Sequence, residues 1–427
     1  FTLGDESVSP FRLNPLEIIS GTRVESHISM LQTCLAASLP TFGVLPILIE
    51  QSLHNVYAAK GWAMTDKGRH IENRMMPTLG DLYHEIIKVV DEMGYAENTK
   101  RDIRGAAAAR IGSLLVGSKG RMLNTRRSIS MRSLMSQPTI LELESLNDDE
   151  KALVMMMLLT MIREYCRNER RHSQLQHVTV IEEAHRVMSA VRPSSDREVS
   201  PETRAQAASM FSSALSEIRA FGEGLIVVEQ IPSRLVDDAL KNTNIKIVHR
   251  ILGEDDQRSL ANTMNSTHGS QRWTLLSHGQ TAVFHEGLEA PIIVSVPNFR
   301  HEHRMAEHVH DDQVEARMRA VGLTRDSSHL PFDGCKYCLR QCQYRDRVTP
   351  LVYDIRTESR FRQALRDFED LYRRGESSRA WNELINKCLE AVGNRDKYAA
   401  FCYFAHLWDD EFNQTLADSV LELLESE

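Results

Sequence analysis

Two short runs constrain this chain more than anything else in it. Val178, Thr179, Val180 and Ile181 lead straight into Glu182 and Glu183, and Leu225, Ile226, Val227 and Val228 lead into Glu229 and Gln230. Continuous apolar runs of this length suit strands buried on both faces, the habit of a parallel sheet. A buried strand does not end in paired carboxylates without cost. Desolvated carboxylates repel each other and shift toward the protonated form unless a cation or donors hold them. In an open parallel sheet, ligands sit outside the carboxyl ends of the strands. The two polar tips together therefore mark a candidate site. Successive strand residues point to opposite faces, so Glu182 and Glu183 can have different jobs. One can hold Mg²⁺, usually through water, while the next orients and deprotonates an attacking water for phosphoryl transfer. Gln230 is placed to sense a γ-phosphate. On pattern alone, a solvated helix start accounts for the two glutamates equally well.

The flanking pattern supplies an architecture. "PTILELESL" (138–146) reads as a strand. "DDEKALVMMMLLTMIREYCRNERR" reads as a buried helix, with an acidic start and a basic end that suit the helix dipole. "SMFSSALSEIRAFGEG" reads as a helix stopped by glycines. "IKIVHRI" is a further strand, and "TAVFHEG" with "PIIVSVP" form a closing pair around "LEA". Strands alternating with helices indicate an α/β fold, a mostly parallel sheet with helices on both faces. Helical spacing from about residue 45 to 118 indicates a helical insertion. After about residue 300 the strands stop. The expected division is a core over 1–300 and a helical, cysteine-containing region over 301–427. The polar stretch 192–206 reads as a loop.

Composition narrows the partners. A formal net charge of −8 and a pI near 6.1 exclude a uniformly basic nucleic-acid binder. They leave room for a local basic surface, such as the inside of a pore. Lys119, Arg121, Arg126, Arg127 and Arg132 are candidates for such phosphate contacts, with solvated loop charges as the plainer reading. The two most apolar runs are shorter than the roughly 20 residues a membrane span needs, and Pro40 and Pro46 break the first. No membrane partner is expected. Seven cysteines, an odd number, argue against a secreted disulfide framework, so cytoplasm is the expected compartment.

Cys335, Cys338 and Cys342 have C-x₂-C-x₃-C spacing beside Gly334. Thiolates this close suit Zn²⁺, which takes four N or S ligands in a tetrahedron. Cys402 or His406 offers the fourth ligand, with Cys388 and His329 behind them. An iron–sulfur cluster and free thiols are the other readings. Cys34 and Cys166 lie in apolar helices and read as core residues. The His-rich run "HEHRMAEHVHDD" reads as solvated surface.

"VTVIEEAH" resembles the Walker B segment of HerA-type and FtsK-related ring ATPases. The similarity is co-linear over nearly the first 300 residues. It takes in "RLNPLEI", "ILIEQSLHNVYAAKGW", "ARIGSLLVGSKGRML", "TILELESLNDDEKALVMMMLLTMIREY" and "SEIRAFGEGLIVVEQIPSRLVDDALKNTNIKIVHRI". The resemblance implies a RecA-like core of the ASCE P-loop class, acting on ATP with Mg²⁺. It puts Glu182 at the metal-side acidic position, Glu183 at the catalytic base and Gln230 at the sensor. Arg219 matches the arginine that reaches a neighbouring subunit's nucleotide, a role worth about 10³–10⁵ in rate. A surface charge is its plainer reading. Arg250 is a second nucleotide-contact candidate, with a solvated or ion-paired role beside it. The resemblance also implies a homo-hexamer that translocates or unwinds double-stranded DNA, in DNA processing or antiphage defence. A competing reading is a weakened ring that organises a partner nuclease or other effector, and a third makes the cysteine region a docking module. One departure stands out. The phosphate loop G-x-x-x-x-G-K-[ST] is missing and Gly-Lys occurs nowhere; "GSLLVGSKG" (112–120) is a near miss. In relatives the loop lies upstream of "RLNPLEI". The expectation is a chain that starts after it, and does not bind ATP in the usual way by itself, or a degenerate member.

Overall fold

The computed structural model describes residues 1–5, 8–9, 11–39, 43–68, 76–125, 128–170, 174–188, 208, 217–264, 273–303, 309–320, 348, 365, 367–368, 377–392, 400, 403–404 and 407. The chain divides into two compact units. One comprises residues 1–32, 42–146 and 314–427, and the other residues 33–41 and 147–313.

Helix α1 spans Val24–Ser38, and the region expected to be an insertion carries α2 (Leu45–Ala59), α3 (Leu79–Glu92) and α4 (Glu97–Arg110). Helix α3 starts where it does because Thr78 and Asp81 form a capping box, each side chain taking the other's backbone N–H. The segment 138–146 departs from expectation. It forms no strand, only an isolated parallel bridge between Thr2 and Glu142. Its apolar residues alternate with glutamates, and Ile140 is 74% exposed. A turn from Leu143 O to Leu146 N closes the ladder straight after the bridge.

All five named strands belong to the second unit. Helix α5 (Asp148–Glu169) leads into them. Asn147 and Glu150 form its capping box, and Asp148, Asp149 and Glu150 place three carboxylates in the first turn, where the helix dipole favours them. Leu153, Val154, Met157 and Met161 are among its buried residues, as expected of a helix apolar nearly all round. Strands β1 (His177–Glu182) and β2 (Glu223–Val228) pair in parallel, from His177 opposite Glu223 to Glu182 opposite Val228. Strand β3 (Ile245–Val248) precedes helix α6 (Glu254–Ala261), and β3 pairs antiparallel with β4 (Gln280–His285), which pairs antiparallel with β5 (Ile292–Ser295). The short β4–β5 connection permits nothing but an antiparallel pair. Among the described residues the parallel ladder is thus confined to β1–β2. The exit of β2 is tied to α6, because Ser233 N donates to Asp256 Oδ1 at 2.9 Å.

The amino ends of β1 and β2 are fixed by a buried ion pair. Glu223, the first residue of β2, is fully buried and accepts from Arg170 at 2.8 Å, just past the end of α5. His177 Nδ1 lies 2.8 Å from its other oxygen, and the Thr179 hydroxyl also donates there. One carboxylate so joins α5, β1 and β2. Removing it leaves the Arg170 charge buried without its partner, which typically costs about 3–5 kcal/mol. Glu223→Ala is therefore expected to lower the unfolding free energy by that amount, read as a lower urea midpoint at an unchanged slope; a midpoint equal to wild type would show that the cluster contributes nothing to stability.

Candidate functional site at the strand tips

At the carboxyl end of β1 the backbone turns sharply. Glu182 is the last strand residue, and Glu183 leaves the strand with φ 51 and ψ 46. It is the single non-glycine residue with positive φ among the described residues. A left-handed conformation costs a side-chain-bearing residue on the order of 1–3 kcal/mol and persists only where the surroundings impose it. Here several contacts impose it. Arg186 N donates to Glu183 O at 3.0 Å, and Met188 N to Ala184 O at 2.9 Å, making a helical turn over Ala184–Arg186. Met188 O in turn accepts from Val236 N, beyond β2.

The strongest tie runs between the two strand tips. Glu229, the first residue after β2, has a buried side chain. Its Oε2 accepts from the backbone N–H of His185 at 3.0 Å and lies 2.8 Å from His185 Nδ1. Its Oε1 accepts from the N–H groups of Gln230 and Ile231 at 2.9 and 3.1 Å. Burial alone pushes this carboxyl's pKa up. The hydrogen bonds from His185 N–H, Ile231 N–H and the His185 ring outweigh burial and hold it below the ordinary carboxylate value. The residue pattern puts Glu229 at a strand tip but assigns the sensing role to its neighbour. The signal for Glu229 is nonetheless present, a carboxylate directly after an apolar strand.

The candidate residues are distributed as follows. The parallel register puts Glu182, Glu183 and Gln230 at one edge of the sheet. Gln230 is exposed, and its side-chain amide has no partner among the described residues. Glu182 is exposed and makes no ion pair among them either. A hard carboxylate at a strand tip fits Mg²⁺, which keeps several waters and takes one or two carboxylates. Arg219 stands elsewhere. It opens the turn Arg219–Phe221, closed by Gly222 at φ 77, ahead of β2. The six residues of β2 span roughly 17 Å, so Arg219 and Glu183 lie at opposite ends of the strand pair and do not meet within one chain. Arg250, two residues past β3, is exposed and makes no hydrogen bond among the described residues.

Cys335, Cys338, Cys342, Cys402, His406 and His329 lie outside the described residues, as do Arg126, Arg127 and the stretch 192–206. No cluster of three or more potential metal ligands occurs among the described residues. Cys388 is fully buried, and burial raises its thiol far above the ordinary range. Burial likewise pushes Cys34 up to about 12 and Cys166 up to about 11, as befits protonated core thiols. No described helix is long and apolar enough to cross a membrane.

No protein-family model and no curated protein matches the sequence. Solved structures do match. VirB4 of Thermoanaerobacter pseudethanolicus is similar with a TM-score of 0.54 at 17% identity, over 69% of this chain and 75% of that one. The fold is RecA-like. The bacterial conjugative coupling protein TrwBΔN70 gives a TM-score of 0.41 at 11% identity, over 70% of this chain and 77% of that one. The genome packaging NTPase B204 of Sulfolobus turreted icosahedral virus 2, in complex with AMP, gives 0.29 at 15%, over 40% and 73%. In this RecA-like core Glu229 carries a pH signature. A carboxyl held low in the folded state contributes stability above its unfolded pKa near 4.3 and loses that contribution as pH falls through the folded value. Glu229→Gln is expected to be less stable than wild type at pH 7, and to lose less further stability between about pH 5 and pH 2. Urea unfolding across that range reads both; parallel acid limbs would contradict the hydrogen-bonded carboxylate.

Proposed function

We propose that this chain is part of a HerA-like ATP-hydrolysing ring motor, a homo-hexamer acting on double-stranded DNA, with Glu183 as its general base. The observation that carries this reading is the strained glutamate at the tip of a parallel strand, beside Gln230 on the next tip. The similarity to VirB4 supports the fold on which the reading rests.

In the proposed reaction, a water oxygen forms a bond to the γ-phosphorus while the bond from that phosphorus to the β,γ-bridging oxygen breaks. Glu183 takes the water's proton, and ADP leaves. The Gln230 amide donates to the γ-phosphate and reports its presence. Glu182 would hold Mg²⁺, which when bound neutralises phosphate charge. Arg219, at the far end of β2, acts on the nucleotide of a neighbouring subunit, so the site is completed only in the ring. This reading requires a phosphate loop, which the given residues lack. The second edge of β2 pairs with no strand among the described residues. Val180 and Ile226, on one face of the β1–β2 pair, are 56% and 50% exposed. The cysteine set, with Cys402 or His406, is proposed to hold Zn²⁺ in the carboxyl-terminal region.

One observation favours a second reading. No phosphate loop stands in the sequence, as expected of a weakened ring that organises a nuclease or other effector, in antiphage defence for example. In the full-length protein, Glu183→Gln is expected to abolish hydrolysis and retain ATP binding, since loss of a general base costs about 10²–10⁴ in rate. Glu182→Gln should instead weaken Mg²⁺-dependent nucleotide binding. Unchanged ATPase activity in Glu183→Gln would make the paired glutamates a mere helix start and remove the reading.

A further inference from the structure

We infer that Arg186 is the positioning residue of this site, gripping one oxygen of Glu183 and leaving the other to receive the proton. The inference rests on Glu183 being the base. Arg186 Nε and one terminal nitrogen donate to Glu183 Oε2 at 2.7 and 2.6 Å. The other terminal nitrogen donates to Asp148 Oδ1 at 2.7 Å. Glu183 Oε1 accepts no hydrogen bond among the described residues. The side chain of Glu183 is half exposed, whereas that of Arg186 is 19% exposed. A half-exposed carboxylate would otherwise sample several rotamers. The guanidinium removes that freedom, because two of its coplanar donors meet one oxygen and its third is fixed elsewhere.

Asp148 gives the arginine a rigid reference. It sits in the first turn of α5, directly after the capping box residue that fixes the start of that helix. The chain Asp148–Arg186–Glu183 therefore transmits the position of α5 to the base. On the same turn, His185 is fastened to β2 through Glu229. Two consecutive residues thus pin the strained glutamate, one to the neighbouring strand and one to the helix. Arg186 follows Glu183 by only three positions, but its second partner Asp148 is 38 positions away, and no residue pattern marks that link.

The test uses the full-length protein with ATP. Arg186→Ala is expected to lower kcat about 10²-fold, the size of effect that misplacing a reacting group has, with KM for ATP within about twofold of wild type. Added guanidinium should restore part of the lost rate, and an equal concentration of tetramethylammonium should not. Arg186→Lys should recover little, since an ammonium cannot make the forked contact. Asp148 is 75% exposed, so Asp148→Asn tests the same chain with little risk to folding and should lower kcat by about tenfold or less. The pair Arg186→Ala with Glu183→Gln should be no slower than Glu183→Gln alone, because residues acting as a unit are not additive. Wild-type kcat in both Arg186→Ala and Asp148→Asn, or multiplying losses in the double variant, would overturn the inference. A rate loss that guanidinium does not touch, accompanied by a lower melting temperature, would overturn it too and make Arg186 structural. Glu183→Gln inactive with Arg186→Ala normal sinks this inference alone; Glu183→Gln fully active sinks it together with the reading of Glu183.

Discussion

The Glu229 carboxylate holds the candidate site together. Its four hydrogen bonds reach the His185 backbone, the His185 ring and the N–H groups of Gln230 and Ile231. A parallel pair has no tight turn to fix its ends, so the tips of β1 and β2 need a tie of their own. A buried carboxylate is costly unless donors surround it. Here the donors are those that must be placed for the site to exist. The strain at Glu183 is tolerable because this tie and the Arg186 contact fix the turn from both sides.

The other end of the strand pair is built on the same principle with a different partner. Glu223 is buried against Arg170, His177 and Thr179. The segment before it is held to α5 as well, since Arg163 makes two hydrogen bonds to Glu217, at 2.9 and 2.6 Å. Glu217 lies two residues ahead of Arg219. One helix therefore contacts the strand tips through Asp148 and the approach to Arg219 through Arg163. In a ring, that would make α5 a rigid link between a subunit's own hydrolytic end and the end it offers its neighbour.

Much of this arrangement is legible in residue patterns, and the exceptions have physical causes. Both tip-forming strands follow from continuous apolar runs that end in polar residues. The start of α5 follows from its acidic first turn, and the closing pair β4–β5 from two apolar runs with a short connection. Residues 138–146 have strand-like composition, but a strand needs a partner over its length, and only the first three residues of the chain supply one. The left-handed backbone at Glu183 is hidden because no glycine or asparagine marks it. The Asp148 anchor of Arg186 is hidden because an ion pair across 38 positions leaves no periodic trace. The roles proposed for Glu182, Arg219 and Arg250 come from resemblance, and the geometry adds that Arg219 and Glu183 stand at opposite ends of the β1–β2 pair.

A complete site, on this reading, needs Glu183 of one subunit and Arg219 of the next. Mixed rings test that requirement most directly. Full-length Arg219→Ala and Glu183→Gln proteins are each expected to be inactive alone. Mixing them before assembly should restore part of the ATPase rate, at interfaces where an intact Arg219 faces an intact Glu183. Mixed rings as inactive as either parent, with assembly confirmed by mass, would contradict it.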